Sequence, residues 1–333
     1  MIRIHTGQES LTMAPKDLSS EFFTVSTPAP YIAVVEINRT KKLNSFTSGM
    51  FTEIGRIFSH LSVDPEVRCI ILTGAGDRAF TAGLDVTAAS DGPLTADPNG
   101  DVARKATHLR RHIKEIQEPV TEIEKCEKPV ICVMHGVSYG AAIDISTCCD
   151  IRICTSDVRF SVREVAIGLA ADVGTLTRLP HCQVPMSWIK DICLTAREFG
   201  AQEALTAGFV SGVFEGKEKA LGRAMELAKE IAEKSPVAVQ GTKAVINYSR
   251  DHSVNDGGLI VLLKMVWIAD EVYQDWIISA SGMRRCCRPR TSKMPCCRGC
   301  KSARRLSRSC EVSIGCRVMH FFKRSVRSTY ITK

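Results

Sequence analysis

Long apolar runs are missing from this 333-residue chain: no stretch reaches the about 18 residues that a membrane-spanning helix requires. The sequence therefore predicts no transmembrane segment. Residues 1–23 also lack the apolar stretch of a secretory signal peptide, and their acidic residues argue against a mitochondrial transit peptide. No repeat of fixed period appears, so the sequence does not predict a repeat array.

Acidic residues are almost missing from the C-terminal part of the chain. Residues 281–333 contain 15 Lys and Arg but a single acid, Glu311, for a net charge of +14. The first 280 residues hold 29 basic and 35 acidic residues, for a net charge of −6. We expect the tail, 283–333, to be disordered, because it has no sustained hydrophobic period. Its basic clusters leave a nucleic-acid-binding arm as an alternative, whereas nucleic acid is not an expected partner of the body.

Matched cysteine pairs with the spacing of a zinc site are missing too. Eight of the 15 cysteines lie before the tail, and five of these lie inside apolar runs: Cys69, Cys132, Cys148, Cys149 and Cys154. A free buried thiol behaves as a small hydrophobic group, and without a secretory signal a reducing intracellular compartment is the default. Cys297 and Cys300 in the tail have no second pair with ordered spacing, so the sequence predicts no metal site.

What the chain does contain is an alternation of apolar strand patterns with helical patterns. The predicted strands are 31–39, 67–76, 129–136 and 150–156, and the predicted helices are 47–61, 102–126, about 140–148 and most of 185–250. Near-continuous apolar strands between helices predict an α/β fold with buried sheets. We divide the chain into a flexible N-terminal segment, a core, a helical C-terminal region and the tail: 1–21, 22–215, 216–282 and 283–333.

Two carboxylates stand out in the otherwise small and apolar segment 161–176, which reads SVREVAIGLAADVGTL. Burying an unpaired carboxylate costs several kcal/mol or forces its pKa upward. Glu164 and Asp172 therefore indicate either structural pairing or proton chemistry.

Glycine-rich turns follow two of the predicted strands. The segment TGAGDRAF at 73–80 has the G-x-G-x-x-A spacing of a dinucleotide fingerprint, but no helix pattern opens there, as a Rossmann site requires. The turns at 81–85 and 135–144 instead present backbone N–H groups, the second at the start of a helix. Two such N–H groups can stabilise a developing oxyanion.

Three motifs carry a family resemblance: AFTAGLDV, HGVSYGAAIDISTCCDIRICTSDVRFSVREVAIGLAADVGTLTRLP, and LTAREFGAQEALTAGFVSGVF. Over about residues 22–255 they resemble the enoyl-CoA hydratase/isomerase (crotonase) superfamily. The resemblance implies a spiral of ββα turns, a helical C-terminal region that forms trimers or hexamers, and an acyl-CoA substrate without a separate cofactor. By position, it implies that the N–H groups of Leu84 and Ala141 form the oxyanion hole. The substrate-binding positions it implies are Ala82, Gly83, Asp85 and Gly140.

The acids are similar to those of one subgroup, the Δ3,5-Δ2,4-dienoyl-CoA isomerases of unsaturated fatty acid β-oxidation. Asp144 and Glu164 match the two acid positions of the hydratases, and Asp172 stands where the hydratases carry Gly. Moving two conjugated double bonds requires one proton removed near the thioester and one added further out, which two carboxyl groups can do. By resemblance, Glu164 is the base at C2, Asp172 the donor toward C6, and Asp144 an electrostatic partner.

Structural alternatives accompany each acid. Asp144 could only favour its helix dipole, Glu164 could form a surface ion pair with Arg163, and Asp172 could cap the following helix. His135 is interpreted as a turn residue and Tyr139 as a packing or pocket residue.

Other functions of the same fold also remain open. An enoyl-CoA hydratase or a Δ3,Δ2-enoyl-CoA isomerase is the alternative enzyme. A non-catalytic protein of this fold that binds RNA or a partner through its tail is the alternative of another class. The resemblance implies a mitochondrial or peroxisomal location, although the final residues, ITK, do not form a peroxisomal signal.

Overall fold

The computed structural model describes residues 18–87 and 101–256, which form two sheets and the helices around them. The strands are β1 (Phe23–Ala29), β2 (Tyr31–Ile37), β3 (Val67–Gly74), β4 (Ala79–Thr81), β5 (Val130–Met134), β6 (Val137–Tyr139), β7 (Ile151–Thr155), β8 (Arg159–Ser161), β9 (Phe199–Gly200) and β10 (Gly212–Phe214). The helices are α1 (Ser48–Val63), α2 (Val102–Lys125), α3 (Ala141–Thr147), α4 (Thr175–Arg178), α5 (Met186–Thr195), α6 (Ala201–Ala207), α7 (Gly216–Ala232) and α8 (Pro236–Tyr248). The 3-10 helices include Thr40–Lys42, Glu164–Ile167 and Leu179–Cys182.

From β3 to β8, consecutive strands alternate between the two sheets. The larger sheet has the order β1-β2-β3-β5-β7-β10, and the smaller has the order β4-β6-β8-β9. Within them, β1 pairs with β2 and β8 with β9 antiparallel, and the other neighbours are parallel. The pairs β3–β4, β5–β6 and β7–β8 therefore each cross from the larger sheet to the smaller one. The predicted α/β class is confirmed.

Both faces of the larger sheet are buried, which explains the apolar runs of its central strands. On β3, Ile70 and Leu72 belong to the main core, whereas Cys69 and Ile71 face a second cluster. Helix α7 covers that second face with alanines at four-residue intervals: Ala220, Ala224, Ala228 and Ala232. Side chains four residues apart share one face of a helix, and a row of alanines lets that face approach the sheet closely.

The predicted buried cysteines are also confirmed. All eight cysteines of the described residues are free, and six of them are buried. Burial raises the pKa of the Cys69 and Cys154 thiols to about 12, so both are neutral packing groups.

The four long predicted strands appear as β2, β3, β5 and β7, and the predicted helices appear close to their expected bounds. The short strands of the smaller sheet were missed, because two or three residues carry no periodic signal. Leu18, within the segment expected to be flexible, is 1% exposed and belongs to the core. The domain boundaries stay predictions. The tail, 283–333, and the part of the helical region beyond 256 lie outside the described residues.

Candidate active site

The first glycine turn, which follows β4, is anchored on the segment that precedes α1. The Ala82 N–H donates to Leu43 O at 2.9 Å, and the Thr81 hydroxyl donates to Asn44 O at 2.7 Å. Phe46 N–H donates to Gly83 O at 2.8 Å, and Asp85 N–H donates to Phe46 O at 2.9 Å. These bonds hold the backbone of the turn on both sides of Leu84.

The second turn lies between β6 and α3. The Gly140 N–H donates to Ser161 O at 3.0 Å, and its carbonyl accepts from the Ile143 N–H at 2.8 Å. Gly140 has a φ of +53°, in the left-handed region that favours glycine. Ala141 is the first residue of α3, so its N–H has no carbonyl one turn before it within the helix.

The two turns approach each other closely. A Cβ on Gly83, which has a φ of +90°, would lie 2.9 Å from Tyr139 O and 3.5 Å from Ala141 N. A Cβ on Gly140 would lie 3.7 Å from Gly83 Cα and 3.1 Å from Glu164 Oε1. Both glycines are therefore needed where the two turns and a carboxyl group meet.

Within residues 18–87 and 101–256, no backbone carbonyl accepts the N–H of Leu84 or of Ala141. The structure thus brings the two predicted oxyanion donors into neighbouring turns with both amide groups available. Ala82 and Gly83 lie in the first turn, and Gly140 lies in the second. Their roles in catalysis and binding stay predictions.

Asp85 is engaged within the fold. Its Oδ2 accepts from Arg39 Nη1 at 2.7 Å, and the Asp85 side chain is 7% exposed. The Thr87 hydroxyl donates to the other carboxylate oxygen at 2.5 Å. The ion pair of Asp85 with Arg39 therefore holds the first turn in place. The contact of Asp85 with substrate stays a prediction.

Asp144 is buried in the first turn of α3 and is bonded to the start of α4. Its Oδ1 accepts from the Thr175 N–H at 2.6 Å and from the Thr175 hydroxyl at 2.8 Å. The pKa of Asp144 is raised to about 6: burial is the largest cause and the negative charge of Asp172 adds to it, while the Thr175 bonds and Arg178 oppose the rise. Asp144 is thus more than a partner of its own helix dipole.

Glu164 opens the 3-10 helix Glu164–Ile167, directly after β8, and is partly buried. Its Oε2 is buried and has no hydrogen-bond partner among the described residues. Burial, together with repulsion from Asp144 and Asp172, raises the pKa of Glu164 to about 7. The alternative of an ion pair with Arg163 is wrong, because Arg163 binds Glu198 at 2.8 Å.

Asp172 lies on the exposed turn before α4. The interpretation of Asp172 as the cap of α4 is wrong: the N-cap is Gly174, which has no side chain, and the Asp144 carboxylate accepts the first N–H of the helix. The Asp172 carbonyl accepts a short hydrogen bond from Gln117 Nε2 on α2. The side chain lines a cleft of about 390 Å³ between α2 and residues 171–178.

The three predicted acids therefore share one electrostatic environment. The charges of Asp144 and Asp172 both act on Glu164, although the three residues come from a helix, a 3-10 helix and a turn. Carboxyl groups with pKa values near neutrality are suited to accept and donate protons.

Within the described residues, no group of three or more His, Cys, Asp or Glu side chains could hold a metal ion, and no helix has the length and apolar character of a membrane span.

Two residues that the sequence singled out have structural partners instead. Tyr139 donates its hydroxyl to Glu198 at 2.6 Å, and the Arg163 guanidinium lies 4.5 Å from its ring centre. His135 is 1% exposed, with its Nε2 at 2.9 Å from Gly76 O, and burial lowers its pKa to about 4. His135 is therefore a neutral residue of the β5–β6 turn, as expected.

The functional neighbours that the sequence reasoning missed are Thr175 and Gln117. Thr175 lies in the DVGTL run and bonds to a residue 31 positions earlier. Gln117 lies 55 positions before Asp172, on the long helix α2. Nothing in the local pattern around either residue points to its partner.

Comparisons with known proteins agree with this geometry. The model of the enoyl-CoA hydratase/isomerase family matches residues 29–256. The chain is 42% identical over 255 residues to the mitochondrial Δ(3,5)-Δ(2,4)-dienoyl-CoA isomerase of Rattus norvegicus, covering 75% of this chain and 77% of that protein. It is 39% identical over 260 residues to the peroxisomal Δ(3,5)-Δ(2,4)-dienoyl-CoA isomerase of Arabidopsis thaliana, covering 78% and 91%.

The fold is also similar to solved structures. An enoyl-CoA hydratase from Bacillus anthracis superposes with a TM-score of 0.65 at 24% identity, covering 74% of this chain and 90% of that one. This structural similarity supports the fold assignment, and the family match over residues 29–256 supports the family assignment. The chain therefore belongs to the enoyl-CoA hydratase/isomerase family.

Proposed function

We propose that this protein is a Δ3,5-Δ2,4-dienoyl-CoA isomerase of unsaturated fatty acid β-oxidation. The observation that carries the proposal is the third acid, Asp172, whose charge acts on both Asp144 and Glu164. Relatives that are about 40% identical and bear this activity in their names support the same reaction.

The first half of the reaction is proton removal from C2. In 3,5-dienoyl-CoA the C2 protons lie between the thioester and the first double bond, so their removal gives a conjugated dienolate. Glu164 accepts this proton with its ionised carboxylate. The raised pKa of about 7 makes Glu164 a stronger base than an ordinary carboxylate, while it is still about half ionised near neutral pH.

The second half is proton addition at C6. In its protonated form Asp172 delivers a proton to C6, the electron pairs of the dienolate shift, and the double bonds come to lie at C2 and C4. Glu164 ends the cycle with the C2 proton and Asp172 ends it without one. Asp172 takes up a new proton from water at its exposed position, and Glu164 gives up its proton to water once the product has left.

Negative charge develops on the thioester oxygen between the two steps, and its stabilisation lowers the activation barrier. The N–H groups of Leu84 and Ala141 are assigned to this oxygen, since the two turns that carry them meet near Glu164 and both N–H groups have no backbone acceptor among the described residues. One such donor contributes about 3–4 kcal/mol to the stabilisation of a transition state. The methyl group of Ala141 leaves its donor intact.

The proposal extends to assembly and location. Trimers or hexamers, formed through the helical region after 216, are proposed from the family resemblance. The names of the relatives place one in mitochondria and one in peroxisomes, and we propose one of these two compartments for this protein.

The test is direct. Incubation with 3,5-octadienoyl-CoA is expected to produce the ultraviolet absorbance of a 2,4-dienoyl-CoA. A folded protein that leaves this substrate unchanged but hydrates a 2-enoyl-CoA would overturn the isomerase and support the hydratase alternative. A folded protein without either activity, but with salt-sensitive RNA binding that truncation at 283 abolishes, would support the non-catalytic alternative.

A further inference from the structure

Thr175 makes an unusual double contact with Asp144. The Thr175 N–H and hydroxyl both donate to the same carboxylate oxygen, Oδ1, at 2.6 and 2.8 Å. Thr175 is completely buried and Asp144 is 1% exposed. Among the described residues no hydrogen bond ends on the other oxygen, Oδ2. One side of the carboxylate is thus fixed by α4, and the other side is left to the active site.

The surroundings of Asp144 are otherwise unfavourable to its charge. Glu164 on the 3-10 helix and Asp172 on the turn both repel the negative charge of Asp144. Among the charged groups that act on Asp144 most strongly, only Arg178 on α4 attracts it. The remaining titratable neighbours are the buried thiol of Cys148 on α3 and the thiol of Cys193 on α5. On α2, Glu124 forms an ion pair with Arg178 at 2.7 Å. The negative charge of Glu124 offsets part of the attraction between Arg178 and Asp144.

A buried carboxylate in this setting needs hydrogen-bond donors to remain charged. The two donors it has both belong to Thr175. Because Asp144 repels negative charge on Glu164, the charge of Asp144 raises the proton affinity of Glu164. Loss of that charge would make Glu164 a weaker base.

We propose that Thr175 is a positioning residue: its paired donation holds the Asp144 carboxylate charged and in place, and thereby sets the pH range in which Glu164 accepts a proton. This inference rests on the proposed function, because it assigns Glu164 as the base. Thr175 touches no substrate in this scheme and acts only through Asp144.

The test compares variants that differ in one hydroxyl group. Thr175→Val keeps the shape and the backbone N–H but removes the hydroxyl, whereas Thr175→Ser keeps the hydroxyl. The titration of the Asp144 carboxyl carbon is followed by 13C NMR, assigned by comparison with Asp144→Asn. We expect Thr175→Val to raise the Asp144 midpoint by about one pH unit, since a bond to a charged group is lost.

Turnover supplies the second readout. In Thr175→Val we expect kcat to fall about tenfold with KM changed by less than about twofold, and the acidic limb of kcat/KM to move to lower pH. Thr175→Ser is expected to restore most of both values. Thr206→Val is the matched control, because the Thr206 hydroxyl is exposed on α6 and bonds only to Gln202 O at 2.8 Å.

Each outcome decides something. An unchanged Asp144 titration and an unchanged pH profile in Thr175→Val would overturn the inference. If Thr175→Val does not fold, Thr175→Ala removes the same hydroxyl and is judged by the same two readouts. If the wild-type protein does not convert the dienoyl-CoA, the proposed function fails. The NMR titration then still shows whether Thr175 holds Asp144 charged.

Discussion

Glu164 and Asp172 lie only eight residues apart, yet their surroundings differ. Glu164 follows β8 directly, and its Oε2 is buried without a partner among the described residues. Asp172 is exposed on a turn, and its backbone carbonyl accepts a hydrogen bond from Gln117 of α2. Burial is the largest cause of the raised pKa of Glu164. The position of Asp172, in contrast, is held by the hydrogen bond from Gln117 of α2.

This contrast suggests a division of tasks. A base that must take a proton from carbon benefits from a water-poor site that raises its proton affinity. A proton donor that must be recharged in every cycle benefits from contact with water. Variants at the two positions therefore test this division of tasks.

The largest effect is expected at the buried position. Glu164→Gln removes the base but keeps the size of the side chain, and we expect kcat to fall by about 10³-fold or more with 3,5-octadienoyl-CoA. The matched control is Glu203→Gln on α6, where the carboxylate binds Arg197 at 2.6 Å, and its rate should stay near that of the wild type. A Glu164→Gln enzyme with more than a tenth of the wild-type kcat would remove Glu164 from the mechanism.

A smaller loss is expected at the exposed position. Asp172→Asn removes the donor toward C6, and we expect kcat to fall by about 10²-fold, because water near the exposed turn partly replaces the donor. Asp191→Asn, which alters an exposed ion pair with Arg197, is the control. Full isomerase activity in Asp172→Asn would show that another group protonates C6.

The pH dependence of the wild-type enzyme follows from the buried base. Glu164 must be ionised to accept a proton, and burial raises its pKa to about 7. We therefore expect kcat/KM to fall about tenfold per pH unit below about pH 7. Asp172→Asn should keep an acidic limb but move it to lower pH, because the repulsion that Asp172 exerts on Glu164 is lost. A limb near pH 4.3, the ordinary value for Glu, would mean that burial does not tune the base.

The smallest effect concerns stability. Glu164 binds its proton more tightly in the folded than in the unfolded protein, so the free energy of unfolding decreases as pH rises from about 4.3 to about 7. Glu164→Gln removes this loss, and we expect its melting temperature to exceed that of the wild type by about 2–4 °C at pH 8.

At pH 5 the same difference should be much smaller, because most of the loss occurs between pH 5 and pH 7. Asp172→Asn, at an exposed site, should leave the melting temperature nearly unchanged at both pH values. An equal gain for Glu164→Gln at pH 5 and pH 8 would contradict the stated cause. Circular dichroism during heating measures all of these values.

The long elements could be predicted because they carry strong periodic signals. The segment VRCIILTG became β3, buried on both faces, and residues 102–126 became α2 with nearly the expected bounds. Glu164 and Asp172 were also found from their place in a small-residue segment, and Asp144 from the family resemblance. The capping role expected for Asp172 was wrong, because a cap depends on which carboxylate reaches the helix start in space.

The local sequence was enough to predict the α/β class, the glycine turns and the unusual place of Glu164 and Asp172, since these depend on neighbours in the chain. Tertiary structure alone decided that Thr175 bonds to Asp144, that Gln117 holds the Asp172 backbone, and that Oε2 of Glu164 is left without a partner among the described residues. Desolvation and hydrogen bonding act over a few ångströms in space, and folding brings together residues that lie 31 and 55 positions apart in the chain.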